Sequence, residues 1–316
     1  MLRYSCAKSS EYYILLKERL MEKFAVSSDS TCDLYASEIK DMNIHFVSLV
    51  YTMDIDDKLE EYTDNYTSYD QYVEYYNQLR KGGVSKTSML NYAAHLEHFT
   101  AMAEAGVTDA IHFTISYALS PTVDVARKAV AEVQETYPNF NCLCVESHTT
   151  TIGQGMLVRI ACDMRDKGKE LQETFDYVET VKHKIQHFII ADSLMYLRRG
   201  GRVGSAKAIV GTMLNIKPVL TFTKEGKLEK YKQASGMKTA IKNVVDEYAN
   251  YTVNKEYPLI YIVHTDNVPM AELLKKSLEE KYGVSPEIRI MGPIIGTHVG
   301  PNSLAYAFIS NEERPI

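Results

Sequence analysis

The sequence predicts an α/β protein of two domains, with a parallel-sheet α/β domain over residues 21–185 and a mixed-sheet α/β domain over residues 186–316. Three observations predict it. Strand-length apolar runs alternate with helix-length amphipathic segments, the pattern of βαβ units on a parallel sheet. In the second half, Val219–Thr223, the Lys224-Glu225-Gly226 turn and Leu228–Lys232 read as a hairpin, which brings antiparallel pairing into that sheet. The chain has 316 residues, about twice the ~150-residue length of an average domain.

The elements follow in order. Residues 1–20, MLRYSCAKSSEYYILLKERL, are expected to be an extension that is disordered or not translated, because the first clean strand begins just after Met21. The apolar stretch Tyr12–Leu16 is shorter than a signal-peptide core of about 7–15 residues, so it is not read as a secretion signal. Apolar runs place strands at Phe24–Ser28, Ile44–Tyr51, Ala110–Ile115, Cys142–Glu146, His187–Ala191, Lys217–Thr223, Leu259–His264 and Glu287–Met291. Amphipathic segments place helices at Leu34–Met42, Ser68–Lys81, Met89–Ala105, Thr122–Thr136, Thr151–Lys167, Glu170–Lys184, Ser205–Leu214, Met237–Tyr251 and Pro269–Tyr282.

Composition excludes several classes. Lysine and arginine total 35 against 41 aspartates and glutamates, a net charge of −6, which is not the basic footprint of a nucleic-acid binder. A hydrophobic fraction of 45% is too high for a disordered chain. The five cysteines form no C-x-x-C pair, and Cys142-Leu-Cys144 is too tight for a structural zinc site. They read as reduced thiols of a cytoplasmic protein. No apolar run approaches the ~20 residues that span a bilayer, so any membrane contact is expected to be transient at most. The 23 tyrosines with no tryptophan are unusual. Tyr62, Tyr66, Tyr69, Tyr72, Tyr75 and Tyr76 fit amphipathic packing of one helix.

In open α/β sheets, ligands bind beyond the carboxyl ends of the strands. Four such junctions are rich in hydroxyls: Ser28-Asp29-Ser30-Thr31, Lys86-Thr87-Ser88, Ser116-Tyr117-Ala118-Leu119-Ser120-Pro121-Thr122, and Ser147-His148-Thr149-Thr150-Thr151. Each reads equally as a helix cap. Four in succession would line one crevice with neutral donors, and a helix start beside them suits an anion such as a carboxylate. Near the C-terminus, His298 stands in Gly296-Thr297-His298-Val299-Gly300, where glycines let backbone approach closely and the imidazole can donate to a ligand oxygen.

Leu197-Arg198-Arg199-Gly200-Gly201-Arg202 combines glycines with three arginines but lacks both the Walker and the dinucleotide spacing. Phosphate binding, partner docking and a solvated loop all remain open for it. No G-x-S-x-G elbow occurs. His183 and His187 are four apart, but Lys184 stands where a metalloprotease carries glutamate. His95 and His98 have no carboxylate arrangement that implies a metal. A hydroxyl-lined pocket with one histidine fits holding a ligand better than transforming it.

Ser28-Asp29-Ser30-Thr31-Cys32-Asp33-Leu34 resembles the opening S/T-D-S-T-x-D-L motif of the DegV family. Thr87-Ser88 resembles its T-S-x-P-S motif, Leu197–Arg202 with Asn215-Ile216-Lys217-Pro218 its L-x-x-G-G-R…L-x-I-K-P signature, and Gly296–Pro301 its terminal G-T-H-V-G-P-G. The likeness runs from about Glu22 to Phe308, and the order and spacing of the motifs make it specific. It implies a two-domain DegV-like fold with a lipid pocket between the domains. It also implies one bound long-chain fatty acid (C14–C18) as ligand, and no cofactor, catalytic residue or metal in this chain. By this resemblance Ser30, Thr87, Ser88, Ser116, Tyr117, Ser120, Thr297 and His298 form the fatty-acid site. Arg198, Arg199 and Arg202 would face a separate ATP-dependent fatty acid kinase subunit that converts the presented carboxylate to an acyl phosphate.

The chain departs from the family pattern at Met89-Leu90-Asn91, where a proline and a second serine are lost, and at Ser235, Tyr117, Pro121 and Asn302. Tyr117 is expected to shorten or cap the pocket, and Pro121 to reshape its loop. The alternative function is an enzyme, a transferase or hydrolase acting on a phosphorylated small molecule. It would use the Arg198–Arg202 loop as anion site and His298 as general base.

Overall fold

The computed structural model describes residues 23–202 and 215–316. The expected extension at residues 1–20 and the expected helix at Ser205–Leu214 lie outside the described residues. The first half of the chain runs through β1 (Ala25–Asp29), α1 (Ala36–Asp41), β2 (Ile44–Val47), β3 (Val50–Ile55), β4 (Lys58–Thr63), α2 (Tyr69–Arg80), β5 (Val84–Thr87), α3 (Tyr92–Glu104), β6 (Asp109–Thr114), α4 (Thr122–Thr136) and β7 (Asn141–Glu146). It continues through α5 (Ile152–Asp166), α6 (Leu171–Val181), β8 (Ile185–Ile190), α7 (Met195–Arg199), β9 (Ile216–Phe222), β10 (Leu228–Ser235), α8 (Met237–Glu247), β11 (Ile260–His264), α9 (Val268–Tyr282), β12 (Glu287–Ile290), α10 (Pro293–Val299) and β13 (Leu304–Ile309).

Among these residues there are three sheets. The first is four-stranded and wholly parallel, in the order β2-β1-β6-β7. The second is six-stranded and mixed, in the order β10-β9-β8-β13-β11-β12, with only β11 and β12 parallel. The third is a three-stranded antiparallel sheet, β4-β3-β5. The expected parallel first sheet, the mixed second sheet and the β9–β10 hairpin are all present.

Helix α5 is buried at every position from Ile152 through Val158, and it touches strands of both the parallel and the mixed sheet. A helix apolar all round belongs in a core. Its Met156, Leu157 and Ile160 join Val26, Ile111 and Phe113 from one sheet to Ile189, Leu220, Val263 and Ala305 from the other in one continuous cluster. A second cluster packs α8 and α9 on the far face of the mixed sheet, through Phe188, Val244, Leu274 and Phe308. A third packs α3 and α4 on the far face of the parallel sheet, through Phe99, Val130 and Phe140.

Four expectations change. Ile44–Tyr51 is not one strand: Leu49 N donates to Ser30 Oγ at 3.1 Å and Leu49 O accepts from Asp64 N at 2.9 Å, so the backbone leaves the β2 ladder there. The antiparallel sheet that begins next was missed, because its β3–β4 turn uses Asp56 and Asp57 at φ 53° and 59° rather than an Asn-Gly pair. The helix expected from Met89 begins at Tyr92, capped by Asn91 Oδ1 on Ala94 N at 2.9 Å. Lys86-Thr87-Ser88 is therefore the end of a strand and not a cap. Strand β13, fully buried at the centre of the mixed sheet, was also missed.

Of the six tyrosines expected on one helix, Tyr69, Tyr72, Tyr75 and Tyr76 lie on α2, whereas Tyr62 is on β4 and Tyr66 lies between the two. Tyr75 and Tyr76 of α2 are buried, and their hydroxyls reach the segment that carries α10. Tyr75 meets Thr297 Oγ1 at 2.8 Å and Tyr76 donates to Met291 O at 2.8 Å. The three-stranded sheet and α2 thus clamp α10 from the side.

Candidate functional site

Strand β5 ends at Thr87, and α10 carries His298 to meet it. Thr87 Oγ1 and His298 Nε2 share a hydrogen bond of 2.9 Å. Pro293 opens α10 at a position where no N–H is needed. Gly200 faces the imidazole so closely that a Cβ there would overlap His298 Nδ1. Burial, and then the nearby Arg202, hold the imidazole down at about 4, so it is neutral at physiological pH. Its Nδ1 is buried without a partner.

His298 lies on the wall of an enclosed cleft with about 810 Å³ of space between its atoms, part of it open to solvent. The walls are mainly apolar: Leu49, Ile115, Ile189, Leu197, Phe222 and Ile294 are among the lining side chains. Thr87, Ser88, Ser120, Arg202 and His298 contribute polar groups. Arg202 also lines a wider outer cleft, with Tyr117, Glu146, His148 and Lys227. It donates to Leu119 O at 3.3 Å and to Gly200 O at 2.5 Å, which ties the arginine loop to the third hydroxyl junction.

The structure therefore brings together five of the residues read from the sequence: Thr87, Ser88, Ser120, His298 and Arg202. The others sit elsewhere. Ser116 Oγ donates to Gly226 O at 2.7 Å and so holds the hairpin turn. Tyr117, 50% exposed, lies on the outer cleft rather than in the cavity lining. Thr297 Oγ1 is engaged with Pro293 O, Tyr75 and Ser85 inside the clamp. Ser30 Oγ accepts from Leu49 N and lines a different pocket with Asp33 and Asp64. Arg198 and Arg199 are on α7, with the Arg199 guanidinium 5.6 Å from the Tyr196 ring.

The Asp29 junction is a buried hydrogen-bond network built on one carboxylate oxygen; Asp29 Oδ2 has no partner. Asp29 Oδ1 accepts from Thr31 N at 3.0 Å and from Gln154 Nε2 at 2.9 Å, and burial raises its carboxyl to about 6. Thr31 nevertheless reaches the cavity wall. Thr150, Thr151 and His187 all line the cavity; the two threonines belong to the junctions expected to line one crevice but were not counted in the fatty-acid site, and His187 was not foreseen there. The threonines stand in the fourth hydroxyl junction, which was the available signal. His187 gave none, being a histidine within an apolar strand. Among the described residues no cluster of three or more histidine, cysteine or acidic side chains has metal-holding geometry, and Cys32, Cys142, Cys144 and Cys162 are buried and form no disulfide with one another. No described helix is long and apolar enough to cross a membrane.

Fold and site together define a three-sheet α/β protein with a partly open, hydroxyl-edged apolar cavity. The sequence model of the DegV family matches residues 23–311. A DegV domain-containing protein of Clostridium perfringens is 34% identical over 296 residues, covering 93% of this chain and 100% of that protein. The chain belongs to the DegV family. A fatty-acid-binding DegV family protein from Streptococcus agalactiae superposes with a TM-score of 0.76 at 25% identity, covering 92% of this chain and 99% of that one. A stearic-acid-binding protein from Eubacterium ventriosum superposes at 0.77 with 20% identity, covering 91% and 98%. Fatty acids are thus ligands of proteins of this fold.

Proposed function

We propose that this chain binds one long-chain fatty acid of C14–C18 in the cavity, with the carboxylate at Thr87, Ser88, Ser120 and His298. It then presents that carboxylate to a separate ATP-using kinase subunit for acyl-phosphate formation. The observation that carries the proposal is the neutral His298 imidazole, bonded to Thr87 and set in a mainly apolar cleft. Burying ~16 methylenes at ~0.8 kcal/mol each supplies over ~10 kcal/mol gross, before the entropy of association. Most of the affinity then comes from the tail, while the head group fixes orientation and adds a smaller share. Neutral donors hold a carboxylate less tightly than a bidentate arginine pair would, which leaves an oxygen free to accept a phosphoryl group.

Arg202, which lines both the cavity and the outer cleft, is the residue through which a kinase would sense the bound head group, with Arg198 and Arg199 beside it on the docking face. An enzymatic role for this chain alone is less well supported. A general base works best with a pKa near the working pH, and His298 is held at about 4.

Native mass spectrometry of protein purified from a bacterial host tests the binding claim. A C14–C18 fatty acid is expected in the wild type and a much reduced occupancy in His298→Ala. Ligand-free protein that also takes up no labelled palmitate or oleate would overturn it. Acyl-phosphate formation by the cognate kinase is expected to fall in Arg202→Ala with fatty-acid occupancy retained. An unchanged rate would remove the docking role.

A further inference from the structure

Besides His298 Nδ1, three polar atoms of the cavity wall have no hydrogen-bond partner: Thr150 Oγ1, Thr151 Oγ1 and His187 Nε2. Their residues are 3%, 1% and 1% exposed. Buried polar groups are ordinarily satisfied, because each one left unpaired is costly. The three come from elements distinct from those that hold the proposed head group. Thr150 and Thr151 end the β7–α5 connection, and His187 projects from β8 of the mixed sheet, whereas Thr87 is on β5 and His298 on α10. His187 is fixed in place by its other ring nitrogen, Nδ1, which meets Thr149 Oγ1 at 3.0 Å, and by Phe222, whose ring centroid is 5.4 Å away.

The chemistry of this set is neutral. Burial holds His187 far on the uncharged side, at about 3. Arg314, the cation whose charge acts on His187, donates to the carbonyls of Ile185, His148, Thr223 and Lys182. A carboxylate placed here would not gain the paired N–H donors of an arginine fork. A hydroxyl would be matched: it donates and accepts, so it suits the threonine oxygens and either tautomer of His187. A hydroxyl facing a purely apolar wall would instead lose its water without replacement.

We propose that Thr150, Thr151 and His187 form a second polar subsite that recognises a hydroxyl group on the acyl chain, making hydroxylated long-chain fatty acids preferred ligands. This rests on the fatty-acid reading above. It assigns the subsite to selection along the chain, with the carboxylate still at Thr87 and His298.

The test is displacement of labelled stearate by a panel of monohydroxystearates that differ only in the position of the hydroxyl. At least one isomer is expected to compete as well as or better than stearate, and the rest more weakly. In the Thr150→Val/Thr151→Val variant, which keeps side-chain shape, that isomer is expected to lose about tenfold while stearate stays within about threefold. Each single variant serves should the double not fold. The subsite fails if every isomer is at least tenfold weaker than stearate in the wild type, the outcome for a wall whose polar atoms are served by water. It also fails if the variant weakens stearate and isomer alike. Should labelled stearate not bind the wild type, native mass spectrometry with the hydroxystearates separates the claims. Uptake of one isomer would support the subsite and revise the ligand class. Uptake of none would overturn both.

Discussion

Gly200 shows how one missing methyl group sets a site. A Cβ there would collide with the His298 imidazole, and the ring is held between Gly200 and Thr87. Gly200→Ala is therefore expected to displace His298 and reduce fatty-acid retention at least tenfold while far-UV circular dichroism stays unchanged. Calorimetric titration with palmitate checks it. Asp64 gives a prediction of a different kind. Burial, with Asp29 nearby, raises its carboxyl from the usual 3.8 to about 7. A raised acid favours the folded state while protonated, and that stabilisation is lost as pH rises from about 4 through 7. Asp64→Asn should thus raise the thermal midpoint at pH 8 and do so much less at pH 5. The difference between the two pH values isolates this group from the buried neutral histidines, which act in the opposite direction. A midpoint gain equal at both values would contradict it. At this scale the sequence shows a residue's type but not its surroundings. Ser116 and Ser120 look alike in one loop, yet one ties down a turn and the other faces the cavity. Nothing local distinguishes His187 from an ordinary strand residue.

Among elements, α2 is the one whose purpose emerged only from its neighbours. Its tyrosine stripe was legible as a packed helix face, but the face it seeks, α10, lies more than 200 positions away in sequence. Tyr76→Phe keeps the ring and removes the bond to Met291 O, so it should cost about 1 kcal/mol of stability and loosen α10. A fall in palmitate affinity without loss of fold is the expected result, and hydrogen exchange at α10 amides should quicken. Most strands with uninterrupted apolar runs were legible because a parallel or central strand is apolar on both faces, although β13 was missed. The β2–β3 break was not, since Ser30 and Asp64 divert the chain at Leu49. That Thr87 ends a strand was not legible, because hydroxyl residues before an apolar run carry the same signature whether a helix or a strand end follows.

At the scale of the whole molecule, α5 is the axis. It is buried between the two sheets, and its first residues follow the Thr150-Thr151 edge of the cavity. Ligand would touch elements from both sheets at once, so bound fatty acid should stabilise the native state by mass action, about 2.7 kcal/mol at a hundredfold excess over Kd. Delipidated protein is expected to melt several degrees below the loaded form, with the difference recovered on adding palmitate. Differential scanning calorimetry checks it, and equal midpoints would mean that palmitate does not bind the native state. The overall architecture was legible from the alternation of elements. The place where its layers meet was not, because apolar periodicity says which face is buried and not against what.

The Thr87–His298 bond joins positions 211 apart. Closing so long a stretch of chain is a late and slow event in folding. Strand β5 is made long before α10, so the Thr87–His298 pair cannot close until α10 has been made. Under the proposed function, loading with fatty acid would then report that synthesis has passed α10.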